Sequence, residues 1–199
     1  MSGALHVARA APLAALLCLS MACAQGSKMN DDVNARLVQA AVAAGWDADD
    51  VEIAAPGGID ARGCRFFTAL HRTRMDAPAL ELAALPDGSV VVGGRDDEAA
   101  ARILAACGTD ADAIWWAEVV ARFSAAAQGK VVKPRNEADI EAIAGMGGDY
   151  APPSLDRGAG ATTLRFFTIQ YEPARAARVS ATLSDAGTID VSRVPVGAD

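Results

Sequence analysis

The sequence predicts an α+β protein in which two tandem repeats, each a helix followed by a three-stranded antiparallel β-meander, are joined by a pair of helices. Three observations support this prediction. Segments with helical periodicity and segments with strand alternation occur in separate runs. Residues 65–68 (RFFT) recur unchanged at residues 165–168. The Ala-Gly pairs upstream and the glycine turns downstream recur at nearly the same spacing, which indicates an internal duplication.

The first repeat is predicted over residues 25–94. Asp31 or Asp32 can cap a helix that stops at Gly45. The apolar residues of this helix recur every three or four positions and therefore form one face, which consists of Val33, Leu37, Val38, Ala41 and Val42. Residues 51–53 favour a short additional strand. The meander follows as residues 65–72, residues 80–84 with alternating polarity, a Pro-Asp-Gly turn, and residues 90–92.

Residues 95–134 are predicted to form the two connecting helices, and residues 135–199 the second repeat. The first connecting helix starts at Asp96 or Asp97 and stops at Gly108. The second has a capping box at residues 109–112 and is predicted over about residues 110–127. The second repeat is predicted to contain a short helix at 137–144, a glycine- and proline-rich loop at 145–160, and strands at 162–171, 179–184 and 189–191.

Bulky apolar residues point to both faces of the RFFT strands, because neighbouring side chains of a strand alternate. Phe66 and Phe67, and likewise Phe166 and Phe167, therefore require cover on both sides of each sheet. In its layout, though in no sequence motif, this tandem arrangement is similar to secreted two-repeat inhibitors such as the β-lactamase inhibitory proteins, and to cystatin-like folds. The similarity of layout implies an inhibitor-like binding protein.

Residues 1–24 are typical of a secretory signal peptide, with one basic residue, an apolar stretch at 10–19 and small residues at the end. Two processing sites overlap there. Cleavage after Ala24 would release a soluble periplasmic or secreted chain, whereas lipidation at Cys23 would make an outer-membrane lipoprotein. No later segment is apolar and long enough to span a membrane, so we expect no transmembrane segment.

Removal of this leader leaves two of the four cysteines, Cys64 and Cys107. In an exported protein two cysteines most simply form one disulfide bond. The alternative is two unpaired buried thiols that behave as small apolar groups.

The composition argues against several kinds of function. The formal net charge of −7 gives no basic footprint for nucleic acid. After removal of the leader His71 is the last histidine, so a nucleophile has few candidate bases. Three Cys and His residues without a C-x₂-C spacing do not form a structural zinc site. We therefore expect no catalytic residue, no metal and no cofactor.

Two features favour contact with a partner. The loop at 145–160 is long for a compact domain and carries Met146 and Tyr150, residue types that are common in interfaces. Trp115 and Trp116 are adjacent, so either one is exposed as a binding anchor or both are buried between the repeats. The expected function is an exported, non-catalytic envelope protein that binds a protein or peptide. The alternatives are a hydrolase that uses acidic residues alone and a passive lipoprotein without a ligand.

Overall fold

The computed structural model describes residues 32–54, 62–74, 76–171 and 173–197. The predicted leader at residues 1–24, with Cys23, lies outside the described residues. Over the described ranges the chain is a mixed α+β protein with four α-helices and two antiparallel sheets. None of its described helices is both long and apolar enough to cross a membrane.

The first sheet is a four-stranded antiparallel meander in the order β1-β2-β3-β4. It is preceded by α1 (residues 32–43) and a single 3₁₀ turn (Ala48–Asp50). Its strands are β1 (Val51–Ala54), β2 (Arg65–His71), β3 (Leu80–Ala84) and β4 (Val90–Val92). The predicted helix and the three predicted meander strands are present, and the short strand expected near Val51 pairs with β2 as a fourth member.

Two helices follow the first sheet, α2 (Glu98–Cys107) and α3 (Ala113–Phe123). Gly108 caps the end of α2, as its sequence predicts. The start of α3 differs from the predicted capping box, because Asp112 itself is the N-cap and its carboxylate accepts a hydrogen bond from the Trp115 N–H at 2.8 Å. The helix is therefore shorter than the sequence prediction of residues 110–127.

The second sheet contains five strands, β5 (Lys130–Val131), β6 (Ser154–Gly158), β7 (Ala161–Tyr171), β8 (Ala174–Ser184) and β9 (Ile189–Pro195). The order β5-β7-β8-β9 is completed by β6, which pairs with the other half of the same β7 edge. The helix α4 (Glu137–Gly145) connects β5 to β6. The predicted loop at 145–160 is thus wrong in its second half, where β6 forms.

The two connecting helices lie between the two sheets and share one core with both. Phe66 and Val91 of the first sheet, and Phe166 and Val179 of the second, belong to the same buried cluster as α2 and α3. The outer faces form two smaller clusters, one beneath α1 around Leu37 and Leu82, the other beneath α4 around Ile143, Phe167 and Ile169. The prediction that both sheet faces need cover is confirmed at the RFFT segments.

A line of ion pairs crosses this central layer. Arg122 of α3 lies 3.9 Å from Glu81 of β3 and 3.7 Å from Glu118, which in turn is 2.9 Å from Lys133 beyond β5. Burial raises the pKa of the Glu81 carboxyl, and the Arg122 guanidinium opposes that rise. The line therefore connects the first sheet to the segment that enters the second.

The disulfide between Cys64 and Cys107 is confirmed, with the two Cα atoms 6.1 Å apart. It joins the residue before β2 to the last residue of α2. Because it closes a loop across 43 positions of sequence, it fastens the first sheet to the central helices.

Candidate functional site

A groove of about 230 Å³ lies between the edge strand β4 and the start of α2. We call it the β4–α2 groove. Its lining residues are Val90, Val91, Val92, Arg95, Asp96, Glu98, Ala99 and Arg102. Three consecutive residues of one strand line it although their side chains alternate, so the groove borders the backbone edge of the sheet.

The backbone of β4 is open along this edge. β4 pairs with β3 on one side and ends the strand order of the sheet. The Leu85 N–H donates to the Ser89 carbonyl and the Gly93 N–H to the Glu81 carbonyl. Because hydrogen-bonded pairs alternate with non-hydrogen-bonded pairs in an antiparallel ladder, Val90 and Val92 direct their N–H and C=O groups away from β3.

The turn that leads into β4 is fixed by several hydrogen bonds. The Asp87 carboxylate accepts from the Ser89 N–H at 2.8 Å and from the Ser89 hydroxyl at 2.7 Å. These bonds lower the pKa of Asp87 below its ordinary value. Gly88 has a φ of +81°, and a Cβ there would lie 2.5 Å from the Arg36 guanidinium that donates to its carbonyl. The turn thus sets the direction of the open edge.

Two arginines supply positive charge to the groove. Both donate hydrogen bonds to neutral groups, and the charge of Arg102 also helps to lower the pKa of the Asp87 carboxyl. Arg102 donates to the Ser89 hydroxyl at 3.0 Å, and Arg95 donates to the Ala44 carbonyl. The Asp96 carboxylate is used as a helix cap, because it accepts from the N–H groups of Glu98 and Ala99. A carboxylate of a bound ligand could therefore form a charge-assisted hydrogen bond with Arg95, whereas at Arg102 it would share the guanidinium with the nearby Asp87 carboxylate.

The residues predicted from sequence to contact a partner lie elsewhere. Trp115 and Trp116 are 5% and 3% exposed, so the buried alternative is the one that the structure contains. The Trp115 ring packs edge-on against Phe66, with centroids 6.3 Å apart, and the Trp116 indole N–H donates to the Gly108 carbonyl at 2.9 Å.

Met146 and Tyr150 are brought together beneath α4, at the edge of the second sheet's outer cluster. The Tyr150 ring lies 5.8 Å from that of Phe167, and its hydroxyl is 3.4 Å from the Val132 carbonyl. Burial raises the pKa of Tyr150. Both residues are half-buried, so each presents only part of its side chain to a partner.

A polar cluster that sequence reasoning missed surrounds Asp139, which is 1% exposed. We call it the Asp139 network. Its carboxylate lies 3.0 Å from the Lys130 ammonium and also accepts hydrogen bonds from the Asn136 amide and the Tyr171 hydroxyl. These contacts raise the pKa of both Lys130 and Tyr171. The network joins α4 to β5 and β7, and every partner of the buried charge is a protein group, which is typical of a structural role.

His71, the last residue of β2, lies in a second polar cluster. Its Nε2 is 3.7 Å from an Asp50 carboxylate oxygen and its ring centroid is 5.3 Å from that of Trp46. The Thr73 hydroxyl donates to Asp50 at 3.1 Å and lies 3.4 Å from His71 Nδ1. The Thr73 hydroxyl thus contacts both the carboxylate and the imidazole, and the carboxylate is its nearer partner.

Within the described parts of the chain no group of three or more His, Cys, Asp and Glu side chains is placed to hold a metal ion. No protein-family model matches the chain, and no curated protein or solved structure matches it either.

Proposed function

We propose that the protein is an exported binding module that takes up an extended peptide segment of a partner in the cell envelope, along the open edge of β4. The observation that carries this proposal is the coincidence of an edge strand with outward backbone groups and an adjacent groove. Strand addition to a sheet edge obtains its affinity from backbone hydrogen bonds. Val90 and Val92 offer two N–H and two C=O groups for this purpose.

The groove supplies what the backbone edge lacks, which is selectivity among peptides. A strand added to β4 would lie about 4.8 Å from it, within the space between the edge and α2. Its side chains would alternate, so every second one would face Arg95 or Arg102 on the floor of the groove. A carboxylate at such a position would form a charge-assisted hydrogen bond with a guanidinium.

Export remains part of the proposal. The leader-like residues 1–24 support it, and so does the Cys64–Cys107 disulfide, because such bonds persist in oxidising compartments. Cleavage before Gln25 and lipidation at Cys23 predict different masses for the mature chain. Intact mass spectrometry of the protein from a native envelope fraction distinguishes them, and a mass that retains the leader would contradict export by this route.

We also propose that the chain contains two related units. Phe66 and Phe166 both face the central helices, while Phe67 and Phe167 both face an outer helix. Two differences set the units apart. β1 pairs with the second half of β2 and follows α1, whereas β5 pairs with the second half of β7 and precedes α4. The strand registers also differ. Phe66 pairs with Ala83, whose counterpart by the spacing of the turns is Thr182, but Phe166 pairs with Val179, three residues earlier.

The binding proposal is tested by selecting a random-peptide display library on the purified protein. Val92→Pro removes an outward N–H without removing a bond of the β3–β4 ladder, because the Val92 N–H does not pair with β3. We expect selected peptides to lose at least about tenfold in affinity for this variant. Arg165→Gln, which removes an exposed arginine of the second sheet, is the matched control and should bind normally.

Amide hydrogen exchange on the wild-type protein gives a second measurement of the same event. Addition of a selected peptide should slow exchange at Val90 and Val92, while Val91, which already bonds to β3, should change little. Peptides that bind Val92→Pro as tightly as wild type, or protection confined to another surface, would contradict the proposal. Hydrolysis of members of a glycan library, lost on substitution of two opposed carboxylates at another surface, would favour the hydrolase alternative instead.

A further inference from the structure

The last strand of the second sheet, β9, is a second open edge that the peptide-binding proposal does not use. It ends the strand order of its sheet and, among the described strands, pairs with β8 alone. Its seven residues make it the longest edge strand of the described chain, since β1 has four residues, β4 three and β6 five. Five of the seven are exposed. An open edge of this length is a template for pairing with another chain.

The outward backbone groups of β9 follow from its register with β8. The Val196 N–H donates to the Ala176 carbonyl directly after the last residue of the strand. Bonded and non-bonded pairs alternate along an antiparallel ladder, and the register between the two strands is unbroken. Ile189, Val191 and Arg193 therefore direct their N–H and C=O groups away from β8.

The side chains along this edge combine an apolar group with both signs of charge. Val194 is 59% exposed, the highest value among the large apolar residues that the described chain leaves at its surface. It lies on the outer face of the sheet, where it pairs with Arg178 of β8. Asp190 lies on the same face, four positions earlier in β9, and is exposed. The edge thus carries an uncovered apolar side chain between an acid and a base.

We propose that β9 pairs antiparallel with β9 of a second copy of this chain, which joins the two second sheets into one continuous sheet. With the two-fold axis at Ser192, the middle residue of β9, the whole strand overlaps its copy. Val191 then lies opposite Arg193 of the second copy, and their outward groups bond to each other. Ile189 lies opposite Pro195 of the second copy, whose carbonyl accepts from the Ile189 N–H and whose missing N–H leaves only one bond unmade. This proposal does not depend on peptide binding at β4.

The charges along the edge favour this register and a second copy as the occupant. An axis one residue later would set the two Arg193 side chains opposite each other, and an axis two residues earlier would do so for the two Asp190 side chains. An axis one residue earlier would leave the last two residues of each strand unpaired. With the axis at Ser192, Asp190 lies opposite Val194 of the second copy and two strands, or about 10 Å, from its Arg178. Acid and base thus take complementary positions across the axis.

The first test is the association of the purified protein, measured by sedimentation equilibrium over a wide range of concentrations. We expect the wild type to form a dimer in a concentration-dependent way. Arg193→Pro removes an outward N–H but no bond to β8, and should weaken the dimer by at least about tenfold. Val92→Pro makes the same change at the open edge of the first sheet and is the matched control, which should dimerise normally. A wild type that stays monomeric at millimolar concentration, a dimer that Arg193→Pro leaves unchanged, or an equal loss in the control would overturn the proposal.

Substitutions of Val194 test the register and do not depend on the folding of Arg193→Pro, because this side chain is exposed. Val194→Lys places an ammonium group opposite Asp190 of the second copy and should tighten the dimer by about fivefold, whereas Val194→Asp places two carboxylates opposite each other and should weaken it by a similar factor. Val42 of α1 is also an exposed valine, at 42%. Val42→Lys and Val42→Asp therefore control for the change in net charge and should leave association nearly unchanged. Effects at Val194 that are no larger than those at Val42, or that have the opposite signs, would overturn the proposal.

Discussion

The two sheets differ in how their outer faces are covered. Beneath α1 the outer face of the first sheet is apolar at its centre, with Phe67, Ala69 and Leu82 against the helix, and Arg65 and His71 occupy this face at the two ends of β2. The second sheet is apolar only near Phe167 and Ile169. Farther along, its outer face carries two polar rows across neighbouring strands, Ser154–Arg165–Ser180–Ser192 and Asp156–Thr163–Thr182–Asp190.

Element lengths explain this difference. The nine residues of α4 span about 14 Å, whereas the eleven residues of β7 span about 36 Å. The helix therefore covers less than half of the strand, and the remainder must be polar to lie against water. In the first sheet no strand is longer than the seven residues of β2, or about 23 Å, against about 18 Å for residues 32–43 of α1.

The two sheets are also fastened differently. A disulfide ties the first to the central helices, while a buried carboxylate and its partners tie the second to α4. We therefore expect the two sheets to unfold together, because they share one core, whereas loss of the disulfide should act on the first sheet and loss of the buried carboxylate on the second.

The largest expected effect tests the shared core. Phe66→Ala and Phe166→Ala each remove a ring that is 1% exposed within the same cluster, and each should cost about 3–5 kcal/mol in the free energy of unfolding. Chemical denaturation should give one transition for both variants. Leu70→Ala, at a residue that is 43% exposed, is the control and should cost little. Two separate unfolding transitions would contradict a single core shared by both sheets.

Loss of the disulfide should be the next largest effect. The double variant Cys64→Ala, Cys107→Ala should lower the free energy of unfolding by about 2–4 kcal/mol, because the unfolded chain gains loop freedom. Denaturation of the wild type under reducing conditions should give the same loss. A wild-type protein whose stability is unchanged by reductant would contradict this role for the bond.

The Asp139 network is expected to matter only to the second sheet. Asp139→Asn leaves Lys130 and Tyr171 competing for one remaining acceptor oxygen and should cost about 1–3 kcal/mol. Asp156→Asn, at an exposed carboxylate of the polar outer face, is the matched control and should change stability by less than about 0.5 kcal/mol. Hydrogen exchange should locate the loss of protection in α4 and β7. A loss that is equal in β2 would refute this local assignment.

The two copies of the RFFT segment should differ at their threonine. The Thr168 hydroxyl is buried and finds no hydrogen-bond partner among the described residues, whereas Thr68 is half-buried. Thr168→Val should therefore stabilise the protein by about 1 kcal/mol, since it removes an unsatisfied polar group. Thr68→Val should be close to neutral. A destabilised Thr168→Val variant would show that the hydroxyl has a partner after all.

The smallest effect concerns alkaline pH. Hydrogen bonding to Asp139 raises the pKa of Tyr171 and of Lys130 above their ordinary values of 10.0 and 10.5. The folded chain then holds these protons more tightly than the unfolded one, so their contribution is complete below about pH 10 and is lost as the pH rises through the folded pKa values. Denaturation curves between pH 8 and 11 should show this decline, and Tyr171→Phe should make it shallower. If the free energy of unfolding fell with pH equally steeply in the wild type and in Tyr171→Phe, the proton of Tyr171 would not be linked to folding.

Much of the fold could be predicted from local patterns in the sequence. The periodicity of Leu37 and Ala41, the glycine after α2, and the alternation of Val179 and Ala181 with hydroxyl residues each act within one element. The strand β6 escaped prediction because its Ser-Leu-Asp-Arg-Gly segment has little apolar alternation, and it is stabilised by pairing with β7. The β4–α2 groove could not be predicted because nothing in the local sequence around Val92 or Arg102 indicates that the fold places them side by side.

The sequence by itself determined the helices, most strands, and the two cysteines available for a bond, because periodicity, capping and composition are properties of neighbouring residues. Tertiary structure decided which strand is an open edge, which carboxylate is buried, and which arginines border the open edge. Each of these depends on residues distant in the chain: Asp139 meets Tyr171 across 32 positions. The candidate binding sites belong to this second group, since register and helix length decide what covers each sheet.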